Sequence, residues 1–198
     1  WDFDVLRRDS LPIRDIGFKE ILKNYPPQKV DELLKFHQKN GGLSRYVKLR
    51  YFYEEILEEP VSNSEIQRLA DQFSLAIFPL LSDPSLLIRD SLDFIVANHS
   101  RQPMNIVSGS DQNELKRLCY VLNIWPYFKA ICGSPTPKNL LVKNLLREQN
   151  LDKKEAVLIG DSINDYEAAV FNEIDFLGYN NIALKGIGHG YIENFNRE

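Results

Sequence analysis

Two hydrophobic patterns divide the chain. From residue 104 onward, short apolar runs alternate with segments whose apolar positions recur every three or four residues. The runs are 104–107, 130–132, 156–159 and 175–177, and the helical segments between them are 115–122, 140–146 and 166–171. Strands that alternate with crossover helices form a parallel sheet covered by helices. This part of the chain is therefore predicted to be a doubly wound, Rossmann-like α/β domain.

Residues 12–82 show the pattern of amphipathic helices instead. Their apolar positions follow i, i+3, i+4, i+7 spacing in three sets: Val30, Leu33, Leu34 and His37; Leu49, Phe52, Tyr53 and Ile56; and Ile66, Leu69, Ala70 and Phe73. Pro27 is a helix-start signal, Gly41 is a stop signal, and Ser62 with Glu65 has capping-box spacing. The predicted division is an α/β core of residues 1–11 and 83–198 and a helical cap of residues 12–82. A further helix is predicted from Asp83 through Ile95.

Charge and composition narrow the function. The formal net charge is −4, and no basic cluster occurs, whereas nucleic-acid binders usually carry a basic patch. The composition therefore favours small-molecule chemistry without nucleic acid. No apolar run approaches the roughly 20 residues that cross a bilayer, so we expect a soluble, cytoplasmic protein with no membrane partner. Cys119 and Cys132 are predicted to be packing residues. The sequence makes no prediction of the oligomeric state.

The first candidate for chemistry is the pair Asp2 and Asp4, which follows the apolar Trp1. Two carboxylates at i and i+2 can take different tasks where a chain leaves a strand: one attacks phosphorus and the other transfers protons. Such a triplet also occurs in solvated loops. Taken alone, it leaves both interpretations open.

The second candidate is the segment Ser108, Gly109 and Ser110, which ends an apolar run and precedes a helix. Unpaired backbone N–H groups and a hydroxyl at such a turn suit a phosphate oxygen. Asp111 and Glu114 also have the spacing of a helix cap. The two interpretations are compatible.

The third candidate is Lys138, in the first turn of a predicted helix with Thr136 as N-cap and Pro137 as first residue. Helix N-termini favour anions, so a lysine there indicates a carboxylate or phosphate partner. The alternative is an exposed, solvated lysine.

The fourth candidate is the strand end at Gly160, followed by Asp161 and Asp165. Carboxylates are hard oxygen ligands, and Mg²⁺ typically binds one or two of them together with waters and a substrate phosphate. The alternative is an aspartate that only caps a helix.

In this order and spacing, the four motifs resemble those of the haloacid dehalogenase (HAD) superfamily, and the resemblance spans essentially the whole chain. Each motif lies at the carboxyl end of a predicted strand, where ligand sites of open α/β sheets form. The resemblance implies an Mg²⁺-dependent phosphatase. Its substrate would be a small phosphorylated metabolite, such as a sugar phosphate, hydrolysed through an aspartyl phosphate.

The resemblance also assigns roles to residues. Asp2 would be the nucleophile and a metal ligand. Asp4 would be the general acid and base, and it is counted among the metal-site residues. Lys138 would neutralise charge between Asp2 and the phosphate.

The remaining motif residues would hold the phosphate and the metal. Ser108 and the amide of Gly109 would bind phosphoryl oxygens, and Asp161 would bind Mg²⁺. Asp165 would join the metal site, orienting Lys138 or a metal-bound water.

The helical segment resembles the small cap of the phosphoglycolate-phosphatase-like branch of this superfamily. Such a lid excludes water and recognises the leaving group. Residues 41–46 join two glycines to a basic residue, so Arg45 is the predicted substrate contact of the cap. A solvated arginine is the alternative.

Two departures from the family pattern stand near Asp2. Relatives usually place glycine after the second aspartate, whereas Val5 stands here and does not readily adopt positive φ. The turn is expected either to differ or to lack residues at this point. A buried strand of about five residues should also precede the first motif, so a native stretch before Trp1 is expected.

Three other functions compete with a phosphatase. A phosphosugar mutase on the same fold would return the phosphoryl group to its substrate. A catalytically silent binding protein would fit the missing glycine. A dehalogenase is disfavoured because a departing halide needs no proton from Asp4.

Overall fold

The computed structural model describes residues 1–8 and 10–195, beginning with a layer of helices. These are α1 (Ser10–Ile21), α2 (Pro27–Lys39), α3 (Arg45–Tyr51) and α4 (Asn63–Leu81), with a π-helical turn at Phe52–Ile56 after α3. The start signals act as predicted at Pro27 and at Ser62, whose hydroxyl accepts from the Glu65 amide at 3.1 Å. The Glu65 carboxylate, however, accepts from Arg68 at 2.6 and 2.8 Å.

The four helices pack around a shared apolar core. Phe18, Leu33, Leu49 and Phe73 are all buried in it. A Cβ on Gly17 would lie 2.5 Å from the Ile77 side chain. Glycine therefore lets α1 and α4 approach each other closely, which holds the helices together as one layer.

Two connecting segments, residues 5–8 and 82–88, join this layer to the rest of the fold. The Arg8 amide donates to the Leu86 carbonyl at 2.8 Å, and the Ile88 amide donates to the Leu6 carbonyl at 2.9 Å. Because residues 86–88 pair with residues 6–8, no continuous α-helix can run through them. The helix predicted from Asp83 is therefore only a 3₁₀ turn (Pro84–Leu86), and α5 begins later, at Arg89–Asn98.

The second half alternates strands and helices. The strands are β1 (Asn105–Asp111), β2 (Ala130–Ser134), β3 (Val157–Gly160), β4 (Asp175–Tyr179) and β5 (Gly190–Ile192), and the helices are α6 (Gln112–Val121), α7 (Lys138–Glu148) and α8 (Ile163–Asn172). β1 pairs with β2, and β3, β4 and β5 pair in that order, all in parallel. This confirms the predicted α/β class. The sequence pattern missed β5, which lies in a glycine-rich segment.

Trp1 and Asp2 join the two groups of strands. The Val107 amide donates to the Trp1 carbonyl at 2.9 Å, and the Asp2 amide donates to the Ile159 carbonyl at 2.8 Å. Asp2 is thereby fixed between the ends of β1 and β3. A cleft of about 1190 Å³ continues from Trp1 between these strands. The expected stretch before Trp1 stays a prediction.

Among the described residues, no helix combines the length and the apolar character that a membrane crossing requires. Cys119 is buried in the apolar core, and Cys132 is half-buried; both are free thiols.

Candidate active site

The candidate residues meet at one edge of the sheet. Asp2 is hydrogen-bonded to β3 next to Trp1, which is hydrogen-bonded to β1. Asp161 follows β3, and Ser108 lies in the middle of β1. Parallel strands place their carboxyl ends along the same edge. Lys138, the first residue of α7, reaches this edge from beyond β2.

Lys138 connects two buried carboxylates. Its Nζ donates to Asp2 Oδ1 at 2.8 Å and also to Asp165 Oδ1. Burial alone would lower the pKa of Lys138, but Asp165 and Asp2 raise it above its usual range, so the ammonium is charged. The second Asp165 oxygen accepts from the Ser162 amide and hydroxyl at 3.0 and 2.7 Å. Asp165 is therefore a rigid support for Lys138.

Three carboxylates face one another beside Lys138. Asp2, Asp161 and Asp165 each offer an oxygen, and these atoms all lie within 4.8 Å of one another. Burial raises the pKa of Asp2 to about 6, and burial with the neighbouring Asp2 raises the pKa of Asp161 well above its usual range. One lysine cannot balance three carboxylates. The donor set of hard oxygens therefore fits a divalent cation such as Mg²⁺.

Asp4 lies outside this carboxylate cluster and contacts the Asp2 oxygen that does not bind Lys138. Its amide donates to Asp2 Oδ2 at 2.9 Å, and its carboxylate forms an ion pair with Arg14 at 3.5 Å. Burial would raise the pKa of Asp4, but Arg14 and Arg7 lower it. Asp4 begins a 3₁₀ turn that also contains the buried Val5. The turn thus accepts a β-branched residue, and its difference from the glycine turn expected of relatives stays a prediction.

Ser108 and Ser110 form a compact hydroxyl pair where the β1–β2 register shifts. The Ser110 amide donates to Ser108 Oγ at 3.1 Å, and Arg14 donates to Ser110 Oγ at 2.9 Å. Gly109 lies between them, and a Cβ there would lie 2.5 Å from the carbonyl oxygen of Gly42. At Gly109, β1 therefore touches the helical layer directly.

The helical layer closes over these residues. The enclosed space has a volume of only about 20 Å³ and is lined by Asp2, Asp4 and Lys138 from the core side and by Arg14, His37 and Lys48 from the helical side. That is about the room of one water molecule. A molecule much larger than water can enter this space only if the helical layer moves away from the sheet.

Arg45 lies at this closed interface, where its guanidinium is already engaged. It donates to both carboxylate oxygens of Glu114 at 2.5 and 3.0 Å and stacks over the Phe73 ring. Both side chains of the pair are almost fully buried. A substrate contact by Arg45 stays a prediction, and in the closed form the residue joins α3 to α6.

Several site features escaped the sequence analysis. Arg14 carried no motif, Glu114 was counted only as part of a helix cap, and His37 only as part of an apolar helix face. Charged residues at core-facing helical positions could have signalled them. The prediction of Thr136 as N-cap was wrong: Pro137 occupies the cap position without a side-chain bond, since α7 begins at Lys138.

The chain is similar to known proteins in both sequence and fold. The sequence model of the family described as haloacid dehalogenase-like hydrolase matches residues 1–179. The chain belongs to this family. No curated protein matches this chain significantly.

Solved structures of similar fold agree with this family assignment. A β-phosphoglucomutase from Clostridium difficile has a TM-score of 0.76 at 14% identity, covering 98% of this chain and 89% of that one. CbbY from Rhodobacter sphaeroides, in complex with xylulose-(1,5)bisphosphate, has a TM-score of 0.75 at 14% identity, covering 98% and 92%. YfnB from Bacillus subtilis, bound to magnesium, has a TM-score of 0.68 at 14% identity, also covering 98% and 92%. At these identities the similarity shows the fold of this HAD-like hydrolase.

Proposed function

We propose that this HAD-like hydrolase is an Mg²⁺-dependent phosphatase that hydrolyses a small phosphorylated metabolite through an aspartyl phosphate. The observation that carries the proposal is the convergence of Asp2, Asp161 and Asp165 within 4.8 Å, with Lys138 Nζ 2.8 Å from Asp2. Phosphoryl transfer depends mainly on positioning and charge neutralisation. This group of residues supplies both at one nucleophile.

In the first step, an Asp2 oxygen forms a bond to phosphorus while the bond from phosphorus to the ester oxygen breaks. Lys138 and the Ser108–Gly109 segment hold the phosphoryl oxygens, and Asp4 donates a proton to the leaving oxygen. Asp4 is ionised in the substrate-free site because of Arg14. A phosphate dianion beside Asp4 raises its pKa and favours the protonated form that this step needs.

In the second step, Asp4 takes a proton from a water molecule, and the water oxygen attacks the phosphorus of the aspartyl phosphate. The bond between phosphorus and the Asp2 oxygen breaks, which releases inorganic phosphate and restores Asp2. Arg14 stabilises the carboxylate form of Asp4 that acts as the base. Asp4, with Arg14 as its partner, thus serves both proton transfers.

Asp2 and Asp161 are the proposed ligands of Mg²⁺, with Asp165 and Asp4 close by. When bound, Mg²⁺ neutralises charge on the phosphoryl oxygens and on Asp2. Asp165 keeps Lys138 directed at the same oxygens through the Ser162 contacts.

The test is release of inorganic phosphate from 4-nitrophenyl phosphate and a panel of phosphometabolites, with Mg²⁺ or with EDTA. We expect Mg²⁺-dependent release that Asp2→Asn abolishes. Release without product isomerisation distinguishes hydrolysis from a phosphosugar mutase. If no ester is turned over and none binds, the chain is a silent member of its family.

A further inference from the structure

Lys48 is a buried cation on the helical side of the pocket. It lies in α3, its exposed fraction is 2%, and its Nζ donates to the Gly41 carbonyl at 3.1 Å. Burying an ammonium is costly unless a counter-charge accompanies it. A backbone carbonyl provides only a partial negative charge.

The other cations of the pocket each have a carboxylate partner within the chain, as described above for Arg14, Arg45 and Lys138. Over residues 1–8 and 10–195, Lys48 forms no ion pair. Burial lowers the pKa of Lys48 well below its usual range, and Arg14 lowers it further, while Asp4 raises it. The ammonium form of Lys48 is therefore costly in this pocket until a further anion accompanies it.

His37 adds an unused hydrogen-bonding group to the same wall. It is fully buried, and in the described part of the chain neither ring nitrogen makes a hydrogen bond; the Asp15 carboxylate lies 3.8 Å from Nε2, beyond hydrogen-bond distance. Burial and the neighbouring Lys48 lower its pKa to about 3, so the ring is neutral and offers one donor and one acceptor. Buried polar groups without partners are rare, and each one needs an explanation.

The position of these groups indicates what they would bind. The core side of the pocket holds Asp2 and Lys138, which receive the transferred phosphoryl group, and the helical side faces them. Atoms of the ester beyond the phosphoryl group must extend toward this helical wall. There they meet Lys48, which has no ion pair with the described residues, and His37, whose ring nitrogens make no hydrogen bond to those residues.

We propose that Lys48, with His37 beside it, binds a second anionic group on the leaving-group part of the substrate. The substrate class is then a phosphate ester that also carries a carboxylate or a second phosphate. This inference rests on the proposed phosphatase function. The anion supplies the counter-charge of Lys48 when the cap closes, and His37 hydrogen-bonds the anion or an adjacent hydroxyl.

The test is binding of phosphonates, which have no ester bond to hydrolyse, measured by isothermal titration calorimetry with Mg²⁺ present. 3-Phosphonopropionate has a carboxylate where propylphosphonate has a methyl group, and ethane-1,2-bisphosphonate replaces that carboxylate with a second phosphonate. We expect the better of the two doubly anionic ligands to bind about 10- to 100-fold more tightly than propylphosphonate, as one charged hydrogen bond provides. The better ligand identifies which anion the subsite accepts.

The matched variants are Lys48→Met and Lys35→Met, since Lys35 is an exposed lysine of the same helical layer. Lys48→Met should reduce the preference to within about 3-fold, whereas Lys35→Met should retain it. Replacing a buried cation with an apolar side chain is compatible with folding, and thermal melting verifies this.

Failure of this inference is separable from failure of the proposed function. Equal binding of all three ligands to the wild-type protein, or a preference that survives in Lys48→Met, overturns the anionic subsite while leaving a phosphatase intact. Absence of both phosphonate binding and Mg²⁺-dependent phosphate release overturns the phosphatase and the subsite with it.

Discussion

Lys138 has a structural contact with two carboxylates and a proposed role in the chemistry. It is the cation between Asp2 and Asp165, and all three side chains are at least 93% buried. The place of Lys138 at a helix start predicted an anionic partner, and two carboxylates fill that role. Its role toward a phosphate stays a prediction.

The first prediction separates these two roles. Lys138→Met leaves two buried carboxylates without their cation, which should lower the free energy of unfolding by about 3–5 kcal/mol and reduce kcat/KM at least about 100-fold. Adding Asp165→Asn should recover part of the stability but none of the activity. Chemical denaturation and phosphate release measure the two effects. Recovery of activity in the double variant would contradict a direct role for Lys138.

The second prediction concerns pH and metal. The folded-state pKa of Asp2 is raised to about 6, so its contribution to stability is present below the unfolded pKa and is lost as pH rises through about 6. Asp161 shifts in the same direction. In EDTA, the loss from Asp2 should be on the order of 3 kcal/mol. Mg²⁺ competes with these protons, so it should raise Tm more at pH 7.5 than at pH 5.

Thermal melts at the two pH values, with Mg²⁺ or EDTA, check this expectation. Asp2→Asn removes one of the titrating groups and should shrink the difference. A Tm gain from Mg²⁺ that is independent of pH would argue against binding at these carboxylates.

At the scale of elements, two neighbouring glycines differ in what they contact. A Cβ on Gly42 would lie 2.5 Å from Ser162 Oγ and 2.9 Å from Asn164 Cβ, whereas a Cβ on Gly41 meets only Leu11 at 3.5 Å. Ser162 is held in place by its bond to Asp165. The loop between α2 and α3 therefore touches the start of α8 only because residue 42 has no side chain.

The third prediction uses this pair as a matched experiment. Gly42→Ala should prevent full closure of the helical layer and lower kcat/KM about 10- to 100-fold, because misplacement by about 1 Å has that effect. Gly41→Ala should lower kcat/KM much less. The free energy of unfolding should change little in either variant, since opening relieves the contact. Equal kinetic losses in both would show that Gly42 does not control closure.

For the whole molecule, the buried pair of Arg45 and Glu114 joins the helical layer to α6, so we expect it to stabilise the closed form. The fourth prediction is that Glu114→Met leaves a buried arginine unpaired and disfavours the closed form by about 3–5 kcal/mol, while Arg45→Met with Glu114→Met restores it. Small-angle scattering should show a larger radius of gyration for the single variant. Unchanged scattering in Glu114→Met would mean that other contacts hold the layer closed.

The apolar patterns were sufficient for the helices of the cap and for four parallel strands, because burial of one face imposes a period along the chain. They were insufficient at β5, whose three residues lie among glycines, and at Ile88, which looked helical but pairs with Leu6 across the fold. Short strands and pairings between distant segments leave little periodic signal.

The sequence by itself determined the α/β class, the amphipathic helices of its first half and the order of the motif residues, since periodicity and strand-end chemistry are local properties. Only the tertiary structure decided that Asp2, Asp161 and Asp165 share one small volume, that Arg45 pairs with Glu114, and that Lys48 is buried without an acidic partner among the described residues. These facts depend on which distant elements pack together, and no local pattern encodes the charge that a side chain meets across an interface.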